Sequence, residues 1–241
     1  MTKIDIHINA DLGEDFGRYR LVDLDELMPF LSACNIACGF HAGDPRTMDE
    51  TIDKAISHQL EIGAHPSYPD LQGFGRRSMD VPKSELTSII RYQISALAGM
   101  AASKGVDITH VKPHGALYND AAAKQGVAEA VIDAVSSISD NIFLYVPPGS
   151  KVEALAVARN IPIKREAFLD RTYEDDLKLT SRKVEGALIQ DPIYAKQQVD
   201  LIISKQHVKT TSGKILPFAP ETYCIHGDNP ASLDILRALH A

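Results

Sequence analysis

Short apolar runs recur along this chain, each followed by a polar cluster rich in Gly and Pro and then by a long amphipathic stretch. No other feature of the sequence restricts the fold so tightly. Short apolar runs between turn signals read as buried strands, and apolar residues at helical spacing read as amphipathic helices. Strands alternating with helices imply a parallel sheet joined by right-handed crossovers. The strands are expected at Ile4 to Ile8, Ala33 to Ala37, Leu60 to Ala64, His110 to Lys112, Ile142 to Val146, Ile163 to Ala167 and Thr222 to Ile225, with a further short one at Ala187 to Ile189. Helices are expected over Asp23 to Leu31, from Pro45 to about His58, and over Ser84 to Lys104, where Ile89, Ile90, Ile94, Leu97 and Met100 mark one side. Others follow over Ala121 to Ser137, Lys151 to Arg159 and Asp191 to Ser204, with a last one opened by Pro230. Asp44-Pro45 is a helix start signal, and Ser150 is placed to cap the helix after it. Val208 to Leu216 reads as a hairpin turning at Ser212-Gly213, and Tyr173 to Gly186 as an irregular connection.

Seven or eight such units favour an α/β fold of the (β/α) TIM-like barrel type over an open doubly wound sheet. A chain of 241 residues suits one such domain over 1–241, since roughly 250 residues is the usual size. The net charge of −7 gives no excess positive field to hold a phosphate backbone, so no nucleic-acid partner is expected. No apolar run approaches the roughly 20 residues of a membrane span. The opening MTKIDIHINADLGED lacks the basic and apolar parts of a signal peptide. Cys34, Cys38 and Cys224 then read as reduced thiols of a cytoplasmic protein. Cys34 and Cys38 lie within SACNIACGF, where small buried side chains explain them better than zinc does.

The polar clusters follow the strands, so they gather at the carboxyl ends, where such folds carry their active sites. They contribute Asn9, Asp11 and Glu14; His41 and Asp44; His65 and Asp70; Lys112 and His114; Glu166, Asp170 and Arg171; and His226 and Asp228. Any one of the four strand-end histidines is read most simply as a hydrogen-bonded wall residue. Four together with carboxylates at equivalent positions are harder to explain as packing, since buried polar groups each need a partner. Two uses remain open. Imidazoles and carboxylates bind a divalent metal that activates water, with Asp11, His41, His65 and His114 as candidate ligands. They also serve as general acids and bases, with Lys112 stabilising negative charge. The turn GFGRR, Gly73 to Arg77, offers backbone N–H groups beside Arg76 and Arg77 for a carboxylate or phosphate, or is a solvated surface loop. There is no P-loop motif and no GxSxG elbow.

Taken as ordered strings, NADLGEDFG, NIACGFHAGDP, GAHPSYPDLQGFGRR, VKPHGALYND, REAFLDRTYE and IHGDNP resemble the LamB/YcsF family. The resemblance runs from about Ile4 to the last helix, with local departures at Asp15 and at Val146-Pro147-Pro148. It implies a distorted barrel similar to the glycoside hydrolase/deacetylase superfamily. It also implies the A subunit of a prokaryotic 5-oxoprolinase, which opens 5-oxo-L-proline to L-glutamate with hydrolysis of ATP, together with subunits B and C. On that reading Asp11, Glu14, His41, His65, Lys112 and His114 are the candidate catalytic residues. Asn9, Arg76, Arg77, Glu166, Arg171, His226 and Asp228 are the candidates for binding substrate or phosphate. A divalent metal would be Mg with ATP or an ion held in the site. Two other readings are a self-sufficient metal-dependent amidohydrolase or deacetylase, and a non-catalytic subunit that delivers substrate.

Overall fold

The computed structural model describes residues 6–19, 21, 23–227 and 229–240. Among them seven parallel strands close a barrel: β1 (Ile8–Leu12), β2 (Ala33–Ala37), β3 (Glu61–His65), β4 (His110–Val111), β5 (Phe143–Val146), β6 (Ile163–Phe168) and β9 (Thr222–His226), with β9 returning beside β1. The helices are α1 (Leu24–Leu27), α2 (Pro45–Ser57), α3 (Lys83–Ser103), α4 (Gly115–Ala123), α5 (Gln125–Ser136), α6 (Lys151–Ala158), α7 (Pro192–Lys205) and α8 (Ser232–His240). Strands β7 (His207–Lys209) and β8 (Ile215–Pro217) form the expected antiparallel hairpin apart from the barrel. No helix among the described residues is long and apolar enough to cross a membrane.

Local signals set the helix starts. Asp44 accepts hydrogen bonds from the N–H groups of Arg46 and Thr47, Asp191 from Ile193, and Ser150 from Glu153, satisfying donors that a first turn leaves free. Four expectations are corrected. The first strand is Ile8–Leu12, so Asn9 and Asp11 lie inside it and not in the loop beyond; Ile4 and Asp5 fall outside the described residues. The segment GALYND, read as loop, forms most of α4. The stretch from Asp23 to Leu31 is split into α1 and a 3-10 turn, Met28–Phe30, at Pro29, which has no N–H to continue the ladder. Ala187 to Ile189 adds no barrel strand; Leu188 makes only an isolated bridge to Arg171.

The strand period of two divides the barrel sharply. Ile8, Ala10, Leu12, Ile36, Ile62, Ala64, Val111 and Leu144 are buried in the apolar core with residues of the surrounding helices, among them Ile52, Ile90, Leu97 and Val131. The alternate positions fill the lumen with hydrogen-bonded polar groups. Asn35 donates to Asn9 Oδ1 (2.7 Å) and Asp11 Oδ1 (2.8 Å), and Asn9 donates to Thr222 Oγ1 (2.8 Å). His110 Nε2 meets Asn35 Oδ1 at 2.8 Å, and its ring stacks on Tyr145 at 4.2 Å. Gly63 makes room for this ring, because a Cβ there would lie 2.1 Å from His110 Nε2. All three cysteines are buried and free, as packing required.

Burial holds the His110 imidazole neutral, far below its ordinary range. The unfolded chain therefore binds a proton near pH 6.5 that the folded chain refuses. Stability falls as pH drops below that value, by up to about 1.4 kcal/mol per pH unit from this residue. Chemical denaturation at pH 7, 6 and 5 should give a shallower acid slope for His110→Gln than for the natural chain. An unchanged slope would refute the assignment.

Candidate active site

Lys112 follows β4 directly and is the centre of the upper lumen. Its ammonium donates to Asp11 Oδ1 (2.9 Å), Cys224 Sγ (2.8 Å) and Asn9 Oδ1 (3.5 Å), lies 3.1 Å from Glu166 Oε1, and sits 5.3 Å above the Phe168 ring. Burial alone would strip its proton, yet the Asp11 and Glu166 charges hold its pKa well above the ordinary lysine value. Burial likewise opposes ionisation of Asp11, but His65 and Lys112 hold it well below the usual carboxylate range. The pair is thus charged at neutral pH.

Three imidazoles surround a second carboxylate. Glu14 Oε1 lies 2.9 Å from His41 Nε2, 3.2 Å from His114 Nδ1 and 3.9 Å from His65 Nε2. His65 and His114 meet edge to face, with Nε2 and Nδ1 at 2.9 Å, and His41 stacks on His114 with centroids 3.7 Å apart. Burial resists the Glu14 charge, but the His114 and His41 rings that face it keep its carboxyl far below the ordinary value. Burial and then His114 push His41 down to about 3, so it is a neutral donor to Glu14 through Nε2. Its Nδ1 is buried without a hydrogen-bond partner.

The tautomers of the other two rings follow from backbone carbonyls. His65 Nδ1 donates to Lys112 O at 2.7 Å, and His114 Nε2 donates to Phe74 O at 2.9 Å. In neutral rings the lone pairs then lie on His65 Nε2 and His114 Nδ1, the two atoms that face each other beside Glu14. Such a convergence is stabilised by a proton or a divalent cation. Candidate ligand atoms of Glu14, His41, His65 and His114 all lie within 4.8 Å of one another. Glu14 therefore takes the place in this group that was expected for Asp11, whose carboxylate is engaged by Lys112, although Asp11 Oδ2 remains 3.3 Å from His65 Nε2.

Asp11, Glu14, His65, Lys112 and His114 form one wall of a cavity of about 790 Å³, to which Arg76, Tyr118, Glu166, Phe168, Arg171 and His226 also contribute. His226 is fixed by Asp170 (2.9 Å) and stacks on Phe168 at 5.2 Å. Arg171 donates to the carbonyls of Ala187 and Thr180 and so also braces the irregular segment above the barrel. Arg76 lies over the Phe74 ring at 5.0 Å. Arg77 points elsewhere: it is paired with Asp70, and its side chain is 64% exposed. Nor does the GFGRR turn offer its N–H groups to an anion. Gly73 donates to the Asp70 carboxylate, Gly75 to Asp70 O and Arg76 to Gly73 O, so the turn consumes its own donors. Asp228 lies outside the described residues. A smaller cavity, about 280 Å³, also touches Glu14 and His41 and is bordered by the exposed Phe16, Tyr19, Leu21 and Leu71.

Asn35, His110, Tyr118 and Phe74 are parts of the site that sequence reasoning missed. Asn35 and His110 stand within strands, where no turn flags them. Tyr118 lies in the quoted string VKPHGALYND and would have been found by treating GALYND as a helix. Gly75 is a further one: it has φ +63°, and a Cβ on it would lie 2.7 Å from His114 and 2.8 Å from His41. Gly75→Ala should therefore displace both rings and cost about 1–3 kcal/mol from overpacking, read by urea unfolding. A variant of natural stability and activity would show that the rings are not held by this turn.

Comparison with known proteins identifies the family. A chain from Bacillus cereus (strain Q1), described as the A subunit of 5-oxoprolinase, is 44% identical over 241 residues, covering 100% of this chain and 94% of that one. Its counterpart from Bacillus thuringiensis subsp. konkukian (strain 97-27), with the same description, is 42% identical at the same coverage. The crystal structure of a lactam utilization protein from Thermus thermophilus superposes with a TM-score of 0.93 at 34% identity, covering 98% of this chain and 95% of that one. The pattern of the LamB/YcsF family matches residues 6–241, and the chain belongs to that family.

Proposed function

We propose that this chain is the A subunit of a cytoplasmic 5-oxoprolinase and opens 5-oxo-L-proline to L-glutamate, with the energy of ATP hydrolysis and with subunits B and C as partners. The observation that carries the proposal is the ionised Glu14 among three imidazoles, beside the buried Lys112–Asp11 pair, in the wall of a cavity large enough for a small cyclic amide. The relatives' descriptions, 5-oxoprolinase in one case and lactam utilization protein in the other, support the substrate. Opening a five-membered lactam near neutral pH is unfavourable without an energy source, and phosphorylation of the amide oxygen supplies a leaving group. Glu14 with His65 and His114 orients water and takes its proton as oxygen bonds to the carbonyl carbon. The ring C–N bond then breaks, the nitrogen receives a proton from the same cluster, and a second water cleaves the acyl phosphate that remains, releasing L-glutamate and phosphate. Lys112, Arg76 and Arg171 bring positive charge to the oxygens on which negative charge develops.

The donor set also fits a divalent metal. His65 and His114 each donate their outer N–H to a backbone carbonyl, the arrangement that orients metal-bound imidazoles. Glu14, His41, His65 and His114 would hold the ion, which would supply Lewis acidity and a more acidic water. That observation favours a second reading, an amidohydrolase active without ATP.

Glutamate and ADP release from 5-oxoproline and ATP, measured with this chain alone and with subunits B and C, separates the readings. Turnover only in the mixture is the expected result. Hydrolysis by the isolated chain without ATP, with metal bound in stoichiometric amount, would replace it by the second reading. A maximal rate of the complex that survives loss of the histidines would leave a delivery role.

A further inference from the structure

Among the described residues lining the main cavity, three carry a buried polar atom without a hydrogen-bond partner: Thr180 Oγ1 and, close enough to each other to interact, the Tyr118 hydroxyl and Glu166 Oε2. The last two differ in kind. Glu166 is anchored through its other oxygen, which accepts from Asn9 Nδ2 at 3.1 Å and lies 3.1 Å from Lys112 Nζ. Its remaining oxygen is a fixed acceptor, unsuited to phosphate. Tyr118 projects from α4, its ring held edge-on against Phe168 at 5.9 Å. Burial first, and then the Glu166 charge, raises the phenol well above its ordinary range, so it keeps its proton and acts as a donor. The phenol is close enough to the carboxylate to feel its charge and a weak hydrogen-bonding pull, yet neither oxygen has a partner in good hydrogen-bond geometry. Unpartnered buried groups of this sort are costly, and a ligand that satisfies both gains correspondingly.

We infer that Tyr118 and Glu166 form a subsite that reads the edge of a cis amide, the phenol donating to the ligand carbonyl and the carboxylate accepting from the ligand N–H. A five-membered lactam is forced to be cis and presents both groups on one edge. An open-chain secondary amide is trans and points them in opposite directions, so it meets one partner and strands the other. The pair thus selects lactams over linear amides, and the phenol polarises the carbonyl that water attacks. The inference rests on the 5-oxoproline reading and gives that reading a basis for specificity.

Calorimetric binding to the full chain tests it with three ligands: 5-oxo-L-proline, its ring lactone with oxygen in place of N–H, and the N-methyl lactam. The natural protein should prefer the lactam over the lactone and the N-methyl lactam by about 10-fold, the usual scale for one buried hydrogen bond. Glu166→Gln should abolish the lactam-to-lactone preference. Tyr118→Phe should weaken lactam and lactone alike by about 10-fold and leave their ratio intact. Tyr118→Phe should also keep the natural Tm, since the hydroxyl has no partner to lose; a general structural disturbance would lower Tm in that variant, and in Glu166→Gln would lower every affinity without changing the lactam-to-lactone ratio. Equal binding of lactam, lactone and N-methyl lactam by the natural protein would overturn the subsite, whatever the variants do. So would natural affinity in Tyr118→Phe. Failure of the natural protein to bind any of the rings would instead overturn the 5-oxoproline reading on which the subsite rests.

Discussion

Lys112→Met is expected to destabilise the protein by about 3–5 kcal/mol, the range for removing one partner of a buried ion pair. The Lys112 side chain is 2% exposed and its ammonium lies between Asp11 and Glu166, so its loss leaves two carboxylates without this counter-charge inside the barrel. For a chain of this size the corresponding fall in Tm is roughly 6–20 °C. The pH dependence follows from the directions of the shifts. The raised Lys112 contributes stability throughout the range below its unfolded value and loses it only in strong alkali. The lowered Asp11 contributes above its unfolded value and loses that contribution as pH falls through its folded one. In the variant Asp11 no longer has Lys112 to hold its charge, so protonation relieves the strain, and the deficit should shrink toward pH 4. Urea unfolding at pH 7 and pH 4 measures both effects. A loss below about 1 kcal/mol at pH 7 would mean that the lumen is far wetter than its hydrogen bonds indicate.

His114→Ala is expected to lower turnover by roughly 100-fold or more, the scale of losing one acid–base group. His114 is the ring through which the cluster is connected: it meets His65 Nε2, Glu14 and Phe74 O and stacks on His41. Its removal leaves the Phe74 carbonyl without a donor and Glu14 with one imidazole fewer. The assay is glutamate release by the assembled complex at saturating substrate, with affinity for 5-oxoproline measured separately. A fall in kcat with little change in affinity is the signature of a group acting on the reacting atoms. Near-normal turnover would remove His114 from the chemistry and leave it a wall residue.

The alternation of apolar runs and amphipathic stretches was enough to indicate a parallel α/β barrel, because period and turn chemistry are local properties. Strand Ala33–Ala37 and the helix opened by Asp44-Pro45 were legible to within a residue, since small buried residues and a cap with proline mark them directly. The polar residues that follow those strands were legible for the same reason. His41, His65, Lys112 and His114 do converge at one end of the barrel. What the sequence could not specify is which of them touch. Closure places Asp11 opposite His226 across the β1–β9 seam, and it brings Asn9 within hydrogen-bond reach of Thr222, a pairing 213 positions apart along the chain. That register, and the depth at which β1 begins, decided that Asp11 serves Lys112 while Glu14 gathers the imidazoles. The helical course of GALYND, packed on α5 and α6, carried Tyr118 into the cavity. The Asp70 carboxylate drew Arg77 out of it. Local pattern determines which elements form and where their polar ends lie; partnership among side chains depends on distances that exist only once the barrel has closed.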